Sequence, residues 1–205
     1  VDVDLFGLSC LTANRRGMAM LVRFIRRVHP AAPIVVGGPH VSALPLATLE
    51  HIPEIDVVVM GEGERTFLEI VNRMLRAEAI DDLPGAAWRS GTRCQVGPPT
   101  IPIKDLDTLA SPVHYYDIGT LLTSRGCPKC CTFCSSRMMW GRRPRFHSVD
   151  FVLDMLEAAV RRHGRKIIAI KDDTFTADRD RALEICRQIR HRNLVFIWSC
   201  ETRAD

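Results

Sequence analysis

Short apolar runs alternate with amphipathic stretches along roughly the first 90 residues of the chain. The predicted strands are 3–8, 34–36 and 56–60, and the predicted helices are 18–28, 45–51 and 65–76. Because the strands are apolar at nearly every position, we expect helices to cover both faces of their sheet. The pattern predicts an α/β fold that opens with a Rossmann-like, doubly wound parallel sheet.

The pattern changes after this first alternation. The runs 86–89 and 94–96, joined by Ser90-Gly91-Thr92, predict a β-hairpin. The stretch that follows is rich in proline and has no periodicity, which is typical of a linker. We therefore expect a first domain at residues 1–97 and a linker at residues 98–117.

A second alternation occupies residues 118–205. The predicted strands are 121–123, 167–170 and 194–198, and the predicted helices are one from a Ser148 cap to Arg162 and one capped by Asp178. Successive βα units of this kind predict the first half of a β/α barrel. In such barrels the functional residues gather at the carboxyl ends of the strands.

Composition narrows the class of protein. The 205 residues carry a formal net charge of +4, and their basic clusters lack the interleaved aromatic residues typical of nucleic-acid binding. No apolar run approaches the ~18 residues of a membrane span, and no targeting segment is visible. Both ends look cut, so we expect the chain to be a piece of a longer protein.

Four of the eight cysteines lie between residues 127 and 134. Cys127, Cys131 and Cys134 form a C-x3-C-x2-C array, and three thiolates at such spacing can hold an iron–sulfur cube with its fourth iron open. The same stretch can also be read as two C-x2-C pairs, which are typical of zinc sites. Because the pairs are adjacent, a tetrahedral site from all four thiols is sterically awkward. We interpret Cys130 as a non-ligand.

This motif resembles the signature of the radical S-adenosylmethionine (SAM) enzymes, in which an aromatic residue precedes the last cysteine as Phe133 does here. Residues 124–128 and 132–134 are similar to the subgroup that also carries a cobalamin-binding domain. The resemblance implies a 4Fe–4S cluster on the three cysteines, with SAM bound at the fourth iron and cleaved reductively. It also implies a reductant such as flavodoxin or ferredoxin and a reducing cytoplasm.

The resemblance suggests further contacts to SAM. Phe133 would lie near the adenine, with packing inside the loop as the alternative. Asp172 and Asp173 end the second barrel strand, where the family commonly holds the amino group of SAM. Neighbouring side chains on a strand point to opposite sides, so at most one should face the site, and the other could cap a helix. Candidates for ribose or carboxylate contacts at the third strand end are Ser199, Glu201 and Arg203.

In the first domain, loops with small or polar residues follow all three predicted parallel strands, where open α/β sheets bind ligands. They resemble loops that line the nucleotide-tail pocket of cobalamin-binding domains, including an S-x-L string and a Gly-Gly pair. The resemblance therefore implies bound cobalamin. The residues expected to contact it are Ser9, Leu11, Gly37, Gly38, Gly61 and Glu62.

One feature departs from that resemblance. The D-x-H-x-x-G string, whose histidine coordinates cobalt from below, does not occur in the sequence. We expect its strand to lie upstream of Val1, and some members of the family lack it. His40, beside a proline in a loop, is not a substitute, so the lower ligand of cobalt stays open.

Together these observations favour a radical SAM enzyme that transfers a methyl group through cobalamin to a small-molecule substrate, or carries out a related radical reaction. One alternative is a radical SAM methylthiotransferase or another RNA-modifying enzyme whose first domain serves a second cluster. It is disfavoured because that region contains only Cys10 and Cys94. A non-catalytic regulator that binds zinc or a cluster is the second alternative.

Overall fold

The computed structural model describes residues 3–204. The chain divides into two compact units, Val1–Pro102 and Ile103–Asp205. The segment 98–117, predicted as a linker, is shared between these units. The outermost predicted domain bounds, residues 1 and 205, lie outside the described residues, and the domain bounds as a whole stay a prediction.

The first unit contains a five-stranded sheet with the strand order β1-β2-β3-β4-β5. Its strands are β1 (Phe6–Ser9), β2 (Ile34–Gly37), β3 (Val57–Val59), β4 (Ala86–Ser90) and β5 (Arg93–Val96). The first three strands run parallel, and β4 and β5 form an antiparallel hairpin next to β3. The parallel sheet and the hairpin predicted from the sequence are both confirmed.

Helices cover both faces of this sheet. They are α1 (Arg15–Val28), α2 (Pro39–Ala43), α3 (Pro45–His51) and α4 (Gly63–Leu75). Successive residues of β2 and β3 enter two different apolar clusters, because side chains alternate across a strand. One cluster holds buried residues of α1 and α3, and the other holds Ile70 of α4. The apolar character of these strands therefore reflects burial from both sides, as expected.

The observed bounds differ from the predicted ones by a few residues. The first strand begins at Phe6 rather than at Val3, and the first long helix begins at Arg15 rather than at Met18. A single 3₁₀ turn, Thr12–Asn14, leads into that helix. Arg15 and Arg16 carry no apolar signal, so hydrophobic periodicity could not place them in the first turn.

The second unit contains a three-stranded sheet and a separate two-stranded ribbon. Its strands are β6 (Thr120–Leu121), β7 (Ser124–Arg125), β8 (Arg145–Phe146), β9 (Ile167–Ile170) and β10 (Ile197–Cys200), and its helices are α5 (Ser136–Trp140), α6 (Val149–Glu157) and α7 (Arg179–His191). The sheet has the order β10-β9-β6, and both strand pairs are parallel. This is the arrangement predicted for the opening of a β/α barrel.

Local signals placed the two long helices of this unit. The hydroxyl of Ser148 accepts a hydrogen bond from the Phe151 amide, and the carboxylate of Asp178 accepts one from the Arg181 amide, so both predicted caps are confirmed. The α-helix begun by Ser148 ends at Glu157 and continues as a π-helical turn, Ala158–Arg162.

The last strand begins three residues later and ends two residues later than predicted, at Ile197–Cys200 instead of 194–198. Leu194 is buried, and its amide donates to the Ile189 carbonyl at the end of α7. Its apolar side chain therefore belongs to the helix terminus. A local pattern cannot distinguish such a residue from the start of a strand.

Among the described residues, no helix combines the length and the apolar character that a crossing of the bilayer requires.

Candidate functional site

The loops after β1 and β2 meet at one edge of the first sheet. Ser9 pairs with Gly37 in the parallel register. Beyond that pair, the Cys10 amide donates to the Gly37 carbonyl at 2.8 Å, and the His40 amide donates to the Cys10 carbonyl at 3.1 Å. The predicted cobalamin residues Ser9, Gly37 and Gly38 therefore lie together at this edge.

Gly38 is required by this close approach. Its φ angle is +103°, a region that favours glycine. A Cβ atom at this position would lie 2.8 Å from the Cys10 carbonyl oxygen and 3.0 Å from the Cys10 nitrogen. The second glycine of the Gly-Gly pair thus lets two loops pack backbone against backbone.

Ser42, which sequence reasoning missed, connects the second loop to the third. Its Oγ donates to the Gly38 carbonyl at 2.8 Å and accepts a hydrogen bond from the Gly61 amide at 2.9 Å. The hydroxyl of Thr100 also binds this third strand end, donating to the Met60 carbonyl at 2.6 Å. A serine inside a short helix carries no local sign of such a role.

The remaining predicted cobalamin residues differ in exposure. The side chain of Leu11 is exposed, and its amide donates to Asn14 at 2.8 Å. Glu62 is only 4% exposed and lies just before α4. Gly61, with φ of +64°, makes the turn from β3 into that helix. The structure thus brings the loops after β1, β2 and β3 together in a rim at one edge of the sheet, where hydrogen bonds of backbone groups and of the Ser42 hydroxyl join them.

Two observations bear on the alternatives for this unit. The Nδ1 of His40 lies 3.1 Å from the hydroxyl of Thr12, which belongs to the loop after β1, so the histidine contacts the neighbouring loop. Cys10 is fully buried and follows β1, the outermost strand on one side of the sheet, whereas Cys94 lies in β5, the outermost strand on the other side. Burial raises the pKa of the Cys10 thiol, and nearby Arg15 only partly offsets this. A second cluster on this pair of cysteines is therefore disfavoured.

The cysteine loop of the second unit, residues 126–144, is closed at its base by the ribbon of β7 and β8. Ser124 pairs with Phe146, and Arg125 pairs with Arg145, so the chain leaves and returns at the same place. Gly126, with φ of +90°, starts the loop, and a Cβ atom there would lie 3.0 Å from the Arg143 carbonyl oxygen. The strand prediction at 121–123 did not include this ribbon.

The three predicted cluster ligands differ in their surroundings. Cys127 is half-buried with its Sγ 3.3 Å from the Thr174 hydroxyl, and Cys131 is half-buried with its Sγ accepting a hydrogen bond from Arg203 at 3.3 Å. Cys134 is exposed, as is Cys130. Between residues 3 and 204, no three Cys, His, Asp or Glu side chains stand in an arrangement that could hold a metal ion.

The cysteine loop nevertheless fits an iron–sulfur cluster in its donor chemistry. All three cysteines are free thiols, and each is held by a loop that begins and ends at one ribbon. Thiolates are the ligands that such clusters take. The structure keeps the donors on one loop but does not gather them into a group. The ligand assignment stays a prediction.

Phe133 is 91% exposed. A side chain this open contributes little to packing within the loop, so the alternative of plain loop packing loses support. Its exposure leaves the ring available to stack on a flat group, and its placement near an adenine stays a prediction.

The adjacent carboxylates at the end of β9 have different environments. Asp172 is fully buried and accepts hydrogen bonds from Thr123 and Ser124, so it does not cap a helix. Asp173 is half-buried and accepts a hydrogen bond from the hydroxyl of Ser136, at the start of α5. Of the two, only Asp173 contacts the part of the cysteine loop that follows Cys134, and which of them faces the site stays a prediction.

A buried polar network, which no local sequence pattern predicted, holds the segments on both sides of the cysteine loop. Arg181 of α7 donates to the carbonyls of Thr123 and His147. His147 in turn donates from Nδ1 to Asp107 at 2.9 Å. Burial lowers the pKa of His147, and the hydrogen bond to Asp107 only partly offsets it. This lowered pKa favours the neutral form of the histidine beside a carboxylate at neutral pH.

Asp107 is the anionic end of this network. Burial alone would raise its pKa, but hydrogen bonds from Ser148 and His147 together outweigh that effect, and the net pKa lies below its ordinary value. The two amide contacts from Ser148 measure 3.1 and 3.2 Å. The carboxylate thus also fastens the start of α6.

The candidates at the third strand end are only partly brought to the loop. Arg203 contacts Cys131, as described. Glu201 accepts a hydrogen bond from Lys171 at 2.6 Å, and its carbonyl accepts one from the Phe175 amide. Ser199 is exposed within β10. Of the three, Arg203 is the residue that the structure places against a predicted cluster ligand.

Comparison with known proteins agrees with this architecture. Residues 1–71 match the family described as the B12 binding domain. The chain is 31% identical, over its whole length, to an uncharacterized methyltransferase of Pyrococcus horikoshii, and it covers 47% of that protein. It is 30% identical, over 69% of its length, to the cobalamin-dependent radical SAM methyltransferase TokK of Streptomyces tokunonensis, of which it covers 22%.

A solved structure shows the same fold. It is that of the radical SAM methyltransferase TsrM from Kitasatospora setae with cobalamin and a 4Fe–4S cluster bound. The TM-score is 0.76 at 19% identity, over 94% of this chain and 41% of TsrM. The chain thus spans less than half the length of these relatives. The B12-binding match and the relatives together show that the chain belongs to the radical SAM enzymes that carry a cobalamin-binding domain.

Proposed function

We propose that the protein is a radical SAM enzyme that transfers a methyl group through cobalamin to an unactivated carbon of a small-molecule substrate. The observation that carries this proposal is the cysteine loop, which leaves the end of the first barrel strand and is flanked by residues from the end of the second. Family membership supports the cofactor set, and the loop supplies the thiols.

Cys127, Cys131 and Cys134 would hold a 4Fe–4S cluster. When bound, the cluster supplies the single electron that splits the sulfonium C–S bond of SAM into methionine and a 5′-deoxyadenosyl radical. Asp173 would accept hydrogen bonds from the SAM ammonium group, and Phe133 would cover the adenine. A flavodoxin or ferredoxin in a reducing cytoplasm would be the electron donor.

The first unit would hold cobalamin at the rim formed by the loops after β1, β2 and β3. Small residues there allow a bulky group to approach the backbone, and the order of the S-x-L string, the Gly-Gly pair and the Gly61–Glu64 loop supports this role. The residues proposed to contact cobalamin are Ser9, Leu11, Gly37, Gly38, Gly61 and Glu62. Cobalamin would serve as the methyl carrier.

Anaerobic reconstitution of the natural-length protein tests the cluster. We expect a brown protein with about four irons per chain, whereas a colourless protein with one zinc would support the regulator alternative. Cys131→Ser should abolish iron binding, and Cys130→Ser is the matched control that should retain it. The reverse result would overturn the ligand assignment.

The reaction class needs a separate measurement. Incubation with SAM and a reductant should yield 5′-deoxyadenosine in the reconstituted protein but not in Cys131→Ser. A protein that binds cobalamin yet never cleaves SAM under reduction would contradict the proposal. Transfer of a labelled methyl group from SAM to protein-bound cobalamin would support methyl transfer over a ring-closing reaction.

A further inference from the structure

The Thr123–Ser124 peptide, which precedes the cysteine loop, is held by hydrogen bonds to the buried carboxylate of Asp172. Asp172 is 0% exposed, and its Oδ1 accepts hydrogen bonds from the amides of Thr123 at 2.6 Å and Ser124 at 3.1 Å. Its Oδ2 accepts a third from the Thr123 hydroxyl at 2.6 Å. Such charge-assisted contacts are among the stronger hydrogen bonds in proteins. Cys127 follows Ser124 by three positions.

Arg181 holds the same peptide through a hydrogen bond to its carbonyl oxygen. This residue is 9% exposed, and its Nη2 donates to the Thr123 carbonyl at 2.8 Å. Its Nε donates to the His147 carbonyl at 3.0 Å, and the His147 amide donates to the Thr123 carbonyl at 3.0 Å. The guanidinium also lies 5.1 Å from the centre of the Phe146 ring. Arg181 therefore joins the two ends of the loop, because β7 follows Thr123 and His147 follows β8.

The two side chains also balance each other's charge. Burial lowers the pKa of Arg181, and the nearby carboxylate of Asp172 is the largest influence that opposes this, ahead of Asp178 and Asp107. Buried charges are costly unless they are paired or fully hydrogen-bonded. The carboxylate and the guanidinium share one peptide as a partner, and their opposite charges offset part of this cost, although Nη1 of Arg181 is buried without a hydrogen bond to any described residue.

The contacts of Asp172 leave it little capacity for a ligand. With no exposed surface and three hydrogen bonds, it could reach a SAM ammonium group only by releasing the base of the loop. The neighbouring Asp173 has a different contact, since it accepts a hydrogen bond from Ser136 beyond Cys134. The two carboxylates thus contact different parts of the chain: Asp172 the peptide before the cysteine loop, and Asp173 the segment after Cys134.

We propose that Asp172 and Arg181 are positioning residues that set the departure point of the cysteine loop, and that Asp172 makes no contact with SAM. The inference rests on the proposed function, because it assigns the loop to a cluster. Removal of either side chain would let the Thr123–Ser124 peptide shift. Outer contacts of this kind that orient metal ligands commonly change metal affinity by about 10–100-fold.

The test uses the reconstituted natural-length protein and the variants Asp172→Asn, Asp172→Ala, Arg181→Met and Asp173→Asn. The readouts are the rate of iron loss to a chelator, the electron paramagnetic resonance spectrum of the reduced cluster, and the affinity for SAM. Asparagine keeps an acceptor for the two amides but loses the negative charge. We therefore expect iron loss to be fastest in Asp172→Ala, intermediate in Asp172→Asn and slowest in the wild type.

Arg181→Met should also accelerate iron loss. The spectra of the two Asp172 variants and of Arg181→Met should broaden as the loop samples several positions. Asp173→Asn is the matched control, which should lose iron at the wild-type rate and bind SAM more weakly. If Asp172→Ala does not fold, the comparison of Asp172→Asn with Asp173→Asn decides. Melting of the iron-free proteins separates a loss of global stability from an effect on the loop.

Wild-type iron retention in Asp172→Asn and Arg181→Met would overturn the inference. So would weaker SAM binding in Asp172→Asn at an unchanged rate of iron loss, since that result would make Asp172 a SAM contact. Failure of the proposed function is distinguishable, because it would show in the wild-type protein, which would then take up no iron or would hold a cluster without cleaving SAM. Failure of the inference shows only in the comparison of the variants with the wild type.

Discussion

Ser42 joins the ends of two parallel strands, since its Oγ accepts a hydrogen bond from the Gly61 amide at 2.9 Å while donating to the Gly38 carbonyl at 2.8 Å. Gly38 follows β2, and Gly61 follows β3. One hydroxyl therefore sets the spacing of two loops that we propose to contact cobalamin. Ser42 thus stabilises the fold at the same edge of the sheet where we propose that cobalamin binds.

Replacing Ser42 by alanine should lower the free energy of unfolding by about 1–3 kcal/mol, because the Gly61 amide would lose its partner in a half-buried position. Urea unfolding followed by circular dichroism measures this change. Ser90→Ala, at an exposed position, should stay within about 0.5 kcal/mol of the wild type. Equal effects of the two variants would contradict a bridging role for Ser42.

Gly38→Ala should destabilise the first unit by at least about 1–3 kcal/mol, because alanine is strained at φ of +103° and its Cβ would press on the Cys10 backbone. Gly17→Ala is a matched control inside α1, where a Cβ meets nothing within 4 Å. That control should gain about 0.5–1 kcal/mol from helix propensity. Thermal unfolding of both variants measures the difference, and changes of the same sign would argue against the close approach.

Acid should weaken the second unit through His147. Burial lowers the pKa of this histidine in the folded chain, so the unfolded chain binds its proton more readily. The stability that neutral His147 contributes is therefore complete above the unfolded pKa of about 6.5 and is lost as the pH falls from there through the folded value. The charged groups that act on it are Asp107, Arg125 and Arg181.

Urea midpoints at pH 7.5 and about pH 5.5 measure this dependence. His147→Asn keeps a side-chain donor for Asp107 but does not titrate, so the midpoint should change less between the two pH values in this variant than in the wild type. An unchanged pH dependence in the variant would show that other groups cause the acid effect.

Asp178→Ala should cost about 0.5–2 kcal/mol, because the carboxylate of Asp178 accepts a hydrogen bond at 3.0 Å from the Arg181 amide in the first turn of α7. Arg179→Ala changes an exposed neighbour and should stay within about 0.5 kcal/mol of the wild type. Differential scanning calorimetry checks both values. An unchanged free energy of unfolding in Asp178→Ala would mean that packing alone holds the start of this helix.

Hydrophobic pattern predicted most of the architecture. The strand Ile167–Ile170 and the helix Pro45–His51 occur at the predicted bounds, because an apolar run in one case and a proline start in the other are purely local signals. The ribbon of β7 and β8 was missed, since each strand has two residues and their pairing spans a 19-residue loop. Strands that short carry no periodicity.

The candidate site followed the same division. The cysteine motif and the Gly-Gly pair could be recognised from the sequence, because ligand chemistry and backbone freedom belong to the residues themselves. The difference between Asp172 and Asp173 could not, because it depends on which backbone amides meet each carboxylate. Thr123 lies 49 positions from Asp172, and no local pattern reports such a contact.

The alternation of strands and helices, the loops at the strand ends and the thiols available to a cluster all follow from local residue patterns. The contacts of Asp172 and Arg181 with the base of the cysteine loop, and the connection that Ser42 makes between two loops of the first unit, became visible only in the folded chain. Periodicity and residue chemistry act over a few neighbouring positions. Hydrogen bonds between distant segments exist only once folding has brought their donors and acceptors into reach.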